Sequence, residues 1–316
     1  METMRPDNPS AGKLGPMQLV PGVSAINGGI FLLTMFFVGV LAPFINFAQP
    51  YILTEHLQIP INEQGAVSGD LAFWSEVVMI LLAGVMGAWS DTMGRRLVFV
   101  FGLAAVALSY ALYPLATSYE ELLSYRLIYA VGMAAIGAMT IAIMAEYPVN
   151  QSRGKLSAAV GVLSTLGVMF VVAVLAPLPA RFVVAGATAI EAGRYTYWLT
   201  AGIAVAGLVT AWFGLSKLKT ARNTALSMMQ RLRVGLTAGR NNPRIALSYG
   251  AAFIGRTDLV VVVIFLSLWI THVALEQGMS TEEALIEAGV MFGLMQGAGL
   301  LSVSYTHLTL PTSDLV

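Results

Sequence analysis

Gly87-Ala88-Trp89-Ser90-Asp91-Thr92-Met93-Gly94-Arg95-Arg96 separates two long apolar runs. The run before it, Leu71 to Met86, and the run after it, Leu97 to Ala116, are each long enough for a membrane-crossing helix, which needs roughly 20 apolar residues at 1.5 Å of rise per residue. A tight loop with two glycines, an aspartate and two arginines therefore joins two membrane helices at one membrane face.

Working outward, the whole composition agrees. Of the 316 residues, 57% are hydrophobic and only 11% are charged, against roughly 25% charged in soluble domains. So few charges cannot cover a soluble protein of this size. Net charge is zero, so the distribution of charge carries the information. The chain has no Cys, which excludes disulfides, thiolate metal sites and Cys nucleophiles. His56, His272 and His307 are scattered without metal-ligand spacing. No phosphate-binding loop with Lys occurs, which argues against ATP-driven transport. No constellation of Ser, His and Asp suggests catalysis. A non-enzymatic protein without cofactor, metal or nucleic-acid partner is expected.

Hydrophobic runs predict eight spans, at about 28–51, 70–89, 97–116, 122–145, 156–178, 195–216, 245–271 and 284–302. Small residues within them, such as Gly132, Ala134, Ala135, Gly137 and Ala138, let membrane helices approach closely. Residues 1–27 read as a polar tail with no signal-peptide pattern. Thirteen of the 17 Lys and Arg residues fall on the side of that tail, of the Arg95–Arg96 loop and of the connections around Arg153 and Lys217 to Arg244. Glu55, Glu63, Glu120, Glu121, Glu276, Glu282 and Glu283 lie on the other side. The excess of positive charge predicts a cytoplasmic N-terminus and, in a bacterium, the inner membrane. Within the basic connection, Ala225, Leu226, Met229, Leu232, Val234 and Leu236 alternate with Arg222, Arg231 and Arg233 at helical spacing. An amphipathic helix on the membrane face is expected there, with a plain positive loop as the alternative.

Gly87, Asp91, Gly94, Arg95 and Arg96 resemble the signature loop of the major facilitator superfamily, G-x-L-A-D-R-x-G-R-K, with Trp89 replacing the Leu and Thr92 the first Arg. Span four opens with Arg126 and Gly132, similar to the family's R-x-x-x-G-x-G, with Ala130 in place of the first Gly. After it, Pro148 to Gly154 resembles the linker P-x-x-x-x-R-G. The resemblance implies an all-α, polytopic membrane helix bundle of major facilitator type. Its parts are a six-helix bundle over 28–216, a basic cytoplasmic linker over 217–244 and the first two helices of a second bundle over 245–301. It also implies that Asp91, Arg95 and Arg153, with Glu146 as a further candidate, form a cytoplasmic charge network that latches the bundles. Span five lacks the G-P-x-x-G-G pattern of drug–proton antiporters, which weighs against multidrug efflux.

Ser302-Val303-Ser304-Tyr305-Thr306-His307-Leu308-Thr309-Leu310-Pro311-Thr312 reads as a translated sequencing-library adapter. Residues 302–316 are therefore expected not to be native. By the same resemblance the native chain is expected to continue with a second signature-like loop and four more spans.

Glu76, Arg126, Arg256 and Asp258 are ionisable residues inside spans. A charge at mid-bilayer costs about 2.5–3.5 kcal/mol on insertion scales, so such groups persist where they pair or line water. Glu76 and Arg126 lie at similar depth and are candidates for a pair. Arg256 and Asp258 sit about 15–20 Å into span seven and point about 200° apart around the helix. By resemblance, spans one, four, seven and ten line a central cavity, where Asn46, Gln49, Arg126 and Arg256 would meet. The expected function is secondary transport of a small solute by alternating access, by a monomer in the lipid bilayer. An organic anion is a candidate substrate, and Asp258 or Glu76 could couple protons. A non-transporting sensor or scaffold on the same fold is the rival from another class.

Overall fold

A computed structural model of the chain describes residues 11–217 and 228–309. Within these ranges the side chains at 11, 228, 229, 231, 232, 234, 236, 249, 252–262 and 299–309 lie outside the description. Among the described residues, six helices are long and apolar enough to cross a membrane: Ala25–His56, Ile61–Met93, Arg95–Leu115, Tyr119–Glu146, Asn150–Val184 and Ala189–Gly214. They are called spans one to six. Two more long helices, seven at Pro243–Glu276 and eight at Thr281–Thr309, follow a shorter one at Met228–Asn241. That shorter helix falls within the basic connection, and residues 218–227 lie outside the description.

A helix is the form that satisfies every backbone polar group within one segment in hydrocarbon. Side chains close the helix ends. Ser24 Oγ accepts from Asn27 N at 3.1 Å while Asn27 Oδ1 accepts from Ser24 N at 3.0 Å. Thr188 and Glu191 form the same reciprocal cap on span six. Exposed Ile80, Leu81, Ile141 and Phe213 make the outside of the bundle apolar, as lipid requires.

The sequence places a loop over 87–96, but span two stays helical to Met93 and span three begins at Arg95. Gly94 alone makes the turn, at φ +97°, a left-handed backbone region that side chains disfavour. Span two also starts at Ile61 rather than 70, because polar Asn62, Glu63 and Gln64 extend the helix beyond the apolar run. Spans one and five contain π segments at Ile52–His56 and Val171–Leu175.

Glycines set the tightest crossings. A Cβ on Gly39 of span one would lie 2.1 Å from Ser164 O of span five, and one on Gly167 would lie 2.4 Å from Phe36 O. Spans three and four meet likewise at Gly102 and Gly132.

The tail contains a β-hairpin, Ala11–Leu14 with Met17–Pro21. Met17, Leu19 and Val23 are buried. Val20 N donates to Tyr147 O at 2.9 Å, and Val149 N donates to Gln18 O at 3.1 Å. The hairpin thus adds backbone pairing to the connection between spans four and five. Its alternating apolar side chains are too few to register as a membrane run.

Candidate functional site

Arg126 of span four lies at the centre of a buried polar cluster and is 2% exposed. Its Nε donates to Ser75 Oγ of span two at 3.1 Å, and its Nη2 donates to Asn46 Oδ1 of span one. The guanidinium carbon stands 5.5 Å from the centre of the Tyr129 ring, a cation–π contact. Among the described residues, Nη1 has no hydrogen-bond partner. Next to this group, Gln49 Nε2 donates to Ser68 Oγ at 2.8 Å, and Tyr113 Oη donates to Gln49 Oε1 at 3.4 Å.

Local sequence explains how these side chains are held. Pro43 lies within span one. Two tyrosines brace the helix around it: Tyr110 donates to Leu41 O, and Tyr129 donates to Ala42 O at 2.7 Å. Asn46 and Gln49 follow within the next two turns. Phe44, Tyr110, Tyr113 and Tyr197 pack as an aromatic wall, with the Tyr113 and Tyr197 rings stacked at 5.5 Å.

Asn46 and Arg126 meet through a hydrogen bond, and Gln49 lies about one turn further along span one, bonded to Ser68 and Tyr113. The sequence suggested Glu76 as the partner of Arg126; the hydrogen bonds of Arg126 run instead to Ser75, one residue earlier, and to Asn46. Glu76 is half-buried on the same helix. Arg256 and Asp258 lie on the backbone of helix seven, and their side chains are outside the described residues. Ser68, Ser75, Tyr113 and Tyr129 were not singled out from sequence. Hydroxyls in an apolar run carry little signal, since they can bond back to their own helix, as Ser75 does to Leu71 O at 2.7 Å.

The second cluster lies at the end that carries the basic loops. Arg95 Nη1 pairs with Asp91 Oδ1 at 2.8 Å, and Arg95 Nη2 pairs with Glu146 Oε1 at 2.7 Å. Arg95 Nε also donates to both Glu146 oxygens at 3.2 Å, and Nη1 donates to Ser90 Oγ. One guanidinium thus ties the end of span two, the start of span three and the end of span four. Gly87 has open space around it, whereas Gly94 supplies the turn that folds Arg95 back onto Asp91. Arg153 donates to Ala145 O at 3.1 Å, capping the end of span four beside Glu146. Arg96 lies over the Trp212 ring of span six at 5.3 Å. The described contacts of this cluster join helices within the first six spans.

Each hydrogen bond to a charged group contributes about 1.5–3 kcal/mol, and partial exposure here lowers that. Arg95→Ala should lower the thermal stability of the purified protein, and an unshifted melting temperature at normal expression would show that the cluster does not hold these helices together.

Residues 29–309 match the family described as Major Facilitator Superfamily. Two magnetosome proteins of Paramagnetospirillum magneticum, MamH and MamZ, are 27% and 24% identical, each over 81% of this chain. The chain spans 58% of the length of MamH and 40% of that of MamZ. The fold is similar to the crystal structure of a D-xylose-proton symporter, with TM-score 0.62, 16% identity, 89% of this chain and 68% of the other covered. It is also similar to the inward-open xylose transporter XylE from E. coli, with TM-score 0.52, 16% identity, and 79% and 68% covered.

Proposed function

The chain belongs to the major facilitator superfamily, and on that premise we propose that it forms the larger part of a secondary transporter that moves a small organic anion by alternating access. The supporting observation is Arg126, a buried guanidinium held by neutral Asn46 and Ser75 with Nη1 unpartnered among the described residues. A buried fixed charge with an unpartnered donor favours an anion, and a guanidinium suits the planar geometry of a carboxylate or phosphate. Asn46 and Gln49 supply neutral polar groups beside it. Arg256 is a second candidate anchor, and Asp258 or Glu76 a candidate proton carrier.

In this reading the six-span bundle over 28–216 rocks against a second bundle that begins at 245, joined by the basic linker 217–244. The end with the basic loops faces the cytoplasm, and the protein works as a monomer in a bacterial inner membrane. In this reading the charge cluster around Arg95 ties the ends of spans two, three and four together at the cytoplasmic face.

Purified full-length protein in proteoliposomes should accumulate a labelled organic anion and should ignore neutral sugars. Uptake of neither class would favour a sensor or scaffold. The magnetosome relatives support a second reading of place, that the protein serves the magnetosome. Imaging of a tagged chain in a magnetosome-forming cell would distinguish that location from the inner membrane.

A further inference from the structure

We infer that Tyr51, Glu55, Thr281 and Glu282 form a reversible latch that closes the acidic end of the transporter between the two bundles; this rests on the transport reading above. Glu55 of span one accepts a hydrogen bond from Thr281 Oγ1 of helix eight. In return, Glu282 Oε1 of helix eight accepts from Tyr51 Oη of span one at 3.1 Å, a hydroxyl that also lies 2.8 Å from Ala189 O. Each side thus offers one carboxylate and one hydroxyl. Tyr51 is 2% exposed, Thr281 6% and Glu282 9%, while Glu55 is half-buried at the rim.

Further contacts between the first six spans and helices seven and eight run from that end toward the middle of the bundle. Ser267 Oγ of helix seven donates to Phe47 O at 2.8 Å, and the Phe47 and Phe292 rings stack at 6.2 Å. A Cβ on Gly289 would come within 3.1 Å of Ala176, and one on Gly293 within 3.1 Å of Val172. Helix eight is therefore seated closely against spans one and five inward of the acidic loops.

The chemistry suits a contact that must open. A buried carboxylate needs hydrogen bonds, and either a hydroxyl or water can supply them. Parting the helices replaces Tyr51 and Thr281 by solvent at small net cost, because folding and opening exchange one set of hydrogen bonds for another. Glu282 is the second residue of helix eight, where the helix N-terminus favours negative charge. A purely apolar seal would lose its whole burial energy on opening.

The chain has no cysteine, so single labels report cleanly. Ser267→Cys places a thiol at the level of Phe47, about 6–12 Å inside Tyr51 and Glu55 along the helix. A membrane-impermeant maleimide added on the acidic side should label it slowly. Tyr51→Phe with Thr281→Val removes both hydroxyl donors with little change in shape and should raise the labelling rate about tenfold. If that pair inserts poorly, Glu282→Gln alone, read in the same way, should raise the rate about threefold. Glu55→Cys with Thr281→Cys should form a disulfide that stops both labelling and transport, and reduction should restore both. A labelling rate unmoved by these variants, or a 55–281 pair that does not cross-link, overturns the latch. Labelling does not need solute movement. A full labelling response without uptake would therefore refute the transport reading and leave the latch standing, whereas uptake with flat labelling would refute the latch alone.

Discussion

Arg126→Ala is expected to lower anion uptake by the full-length protein about a hundredfold, the largest functional effect of any single substitution here. Two losses combine. On the proposed anion reading the solute loses the unpartnered Nη1 donor, and Asn46 and Ser75 lose the group that orients them. Arg126→Lys keeps the charge but loses the planar fork, so uptake should fall about tenfold with membrane insertion intact. Asn46→Asp gives the sharper test. It sets a carboxylate directly on the guanidinium, neutralises it, and should weaken anion affinity about tenfold without disturbing the fold. Uptake into proteoliposomes checks the two Arg126 variants, and equilibrium binding of a labelled organic anion checks Asn46→Asp. If Asn46→Asp binds the anion as tightly as the parent, Arg126 is a structural residue.

The largest effect on folding should come from Gly39→Val. The new Cβ would sit 2.1 Å from the Ser164 carbonyl oxygen, on backbone that cannot rotate away. Spans one and five would have to separate, at a cost of about 3 kcal/mol, and span one carries Asn46 and Gln49 with it. Gly167→Val should behave alike, since its Cβ would meet Phe36 O at 2.4 Å. Gly87→Ala is the control: it alters the signature loop, yet nothing lies within 4 Å of the added Cβ. Fluorescence-detected size-exclusion chromatography with a thermal ramp should show loss of the monodisperse peak for Gly39→Val and Gly167→Val, and an unshifted melting temperature for Gly87→Ala. A folded, stable Gly39→Val would mean that spans one and five do not touch through their backbones.

The amino-acid sequence alone determines that the chain is a membrane helix bundle, where six of its spans lie to within several residues, and which family it resembles. The reason is that hydrocarbon leaves few choices. A run of about 20 apolar residues must satisfy its own backbone, so it becomes a helix wherever it occurs. Arg126 was legible for the same reason: a charge inside an apolar run is conspicuous before any fold is known. Helix rotation and crossing are different, because they depend on which faces meet. Gly39 and Gly167 look like any other small residues until spans one and five cross at them. Arg95 and Glu146 are 51 positions apart, and Glu55 and Thr281 are 226 apart. The polar partners of Arg126 are Asn46, which sequence had already set beside it, and Ser75, an unremarkable hydroxyl. Pairings across such separations follow from packing, and only the tertiary structure decided them.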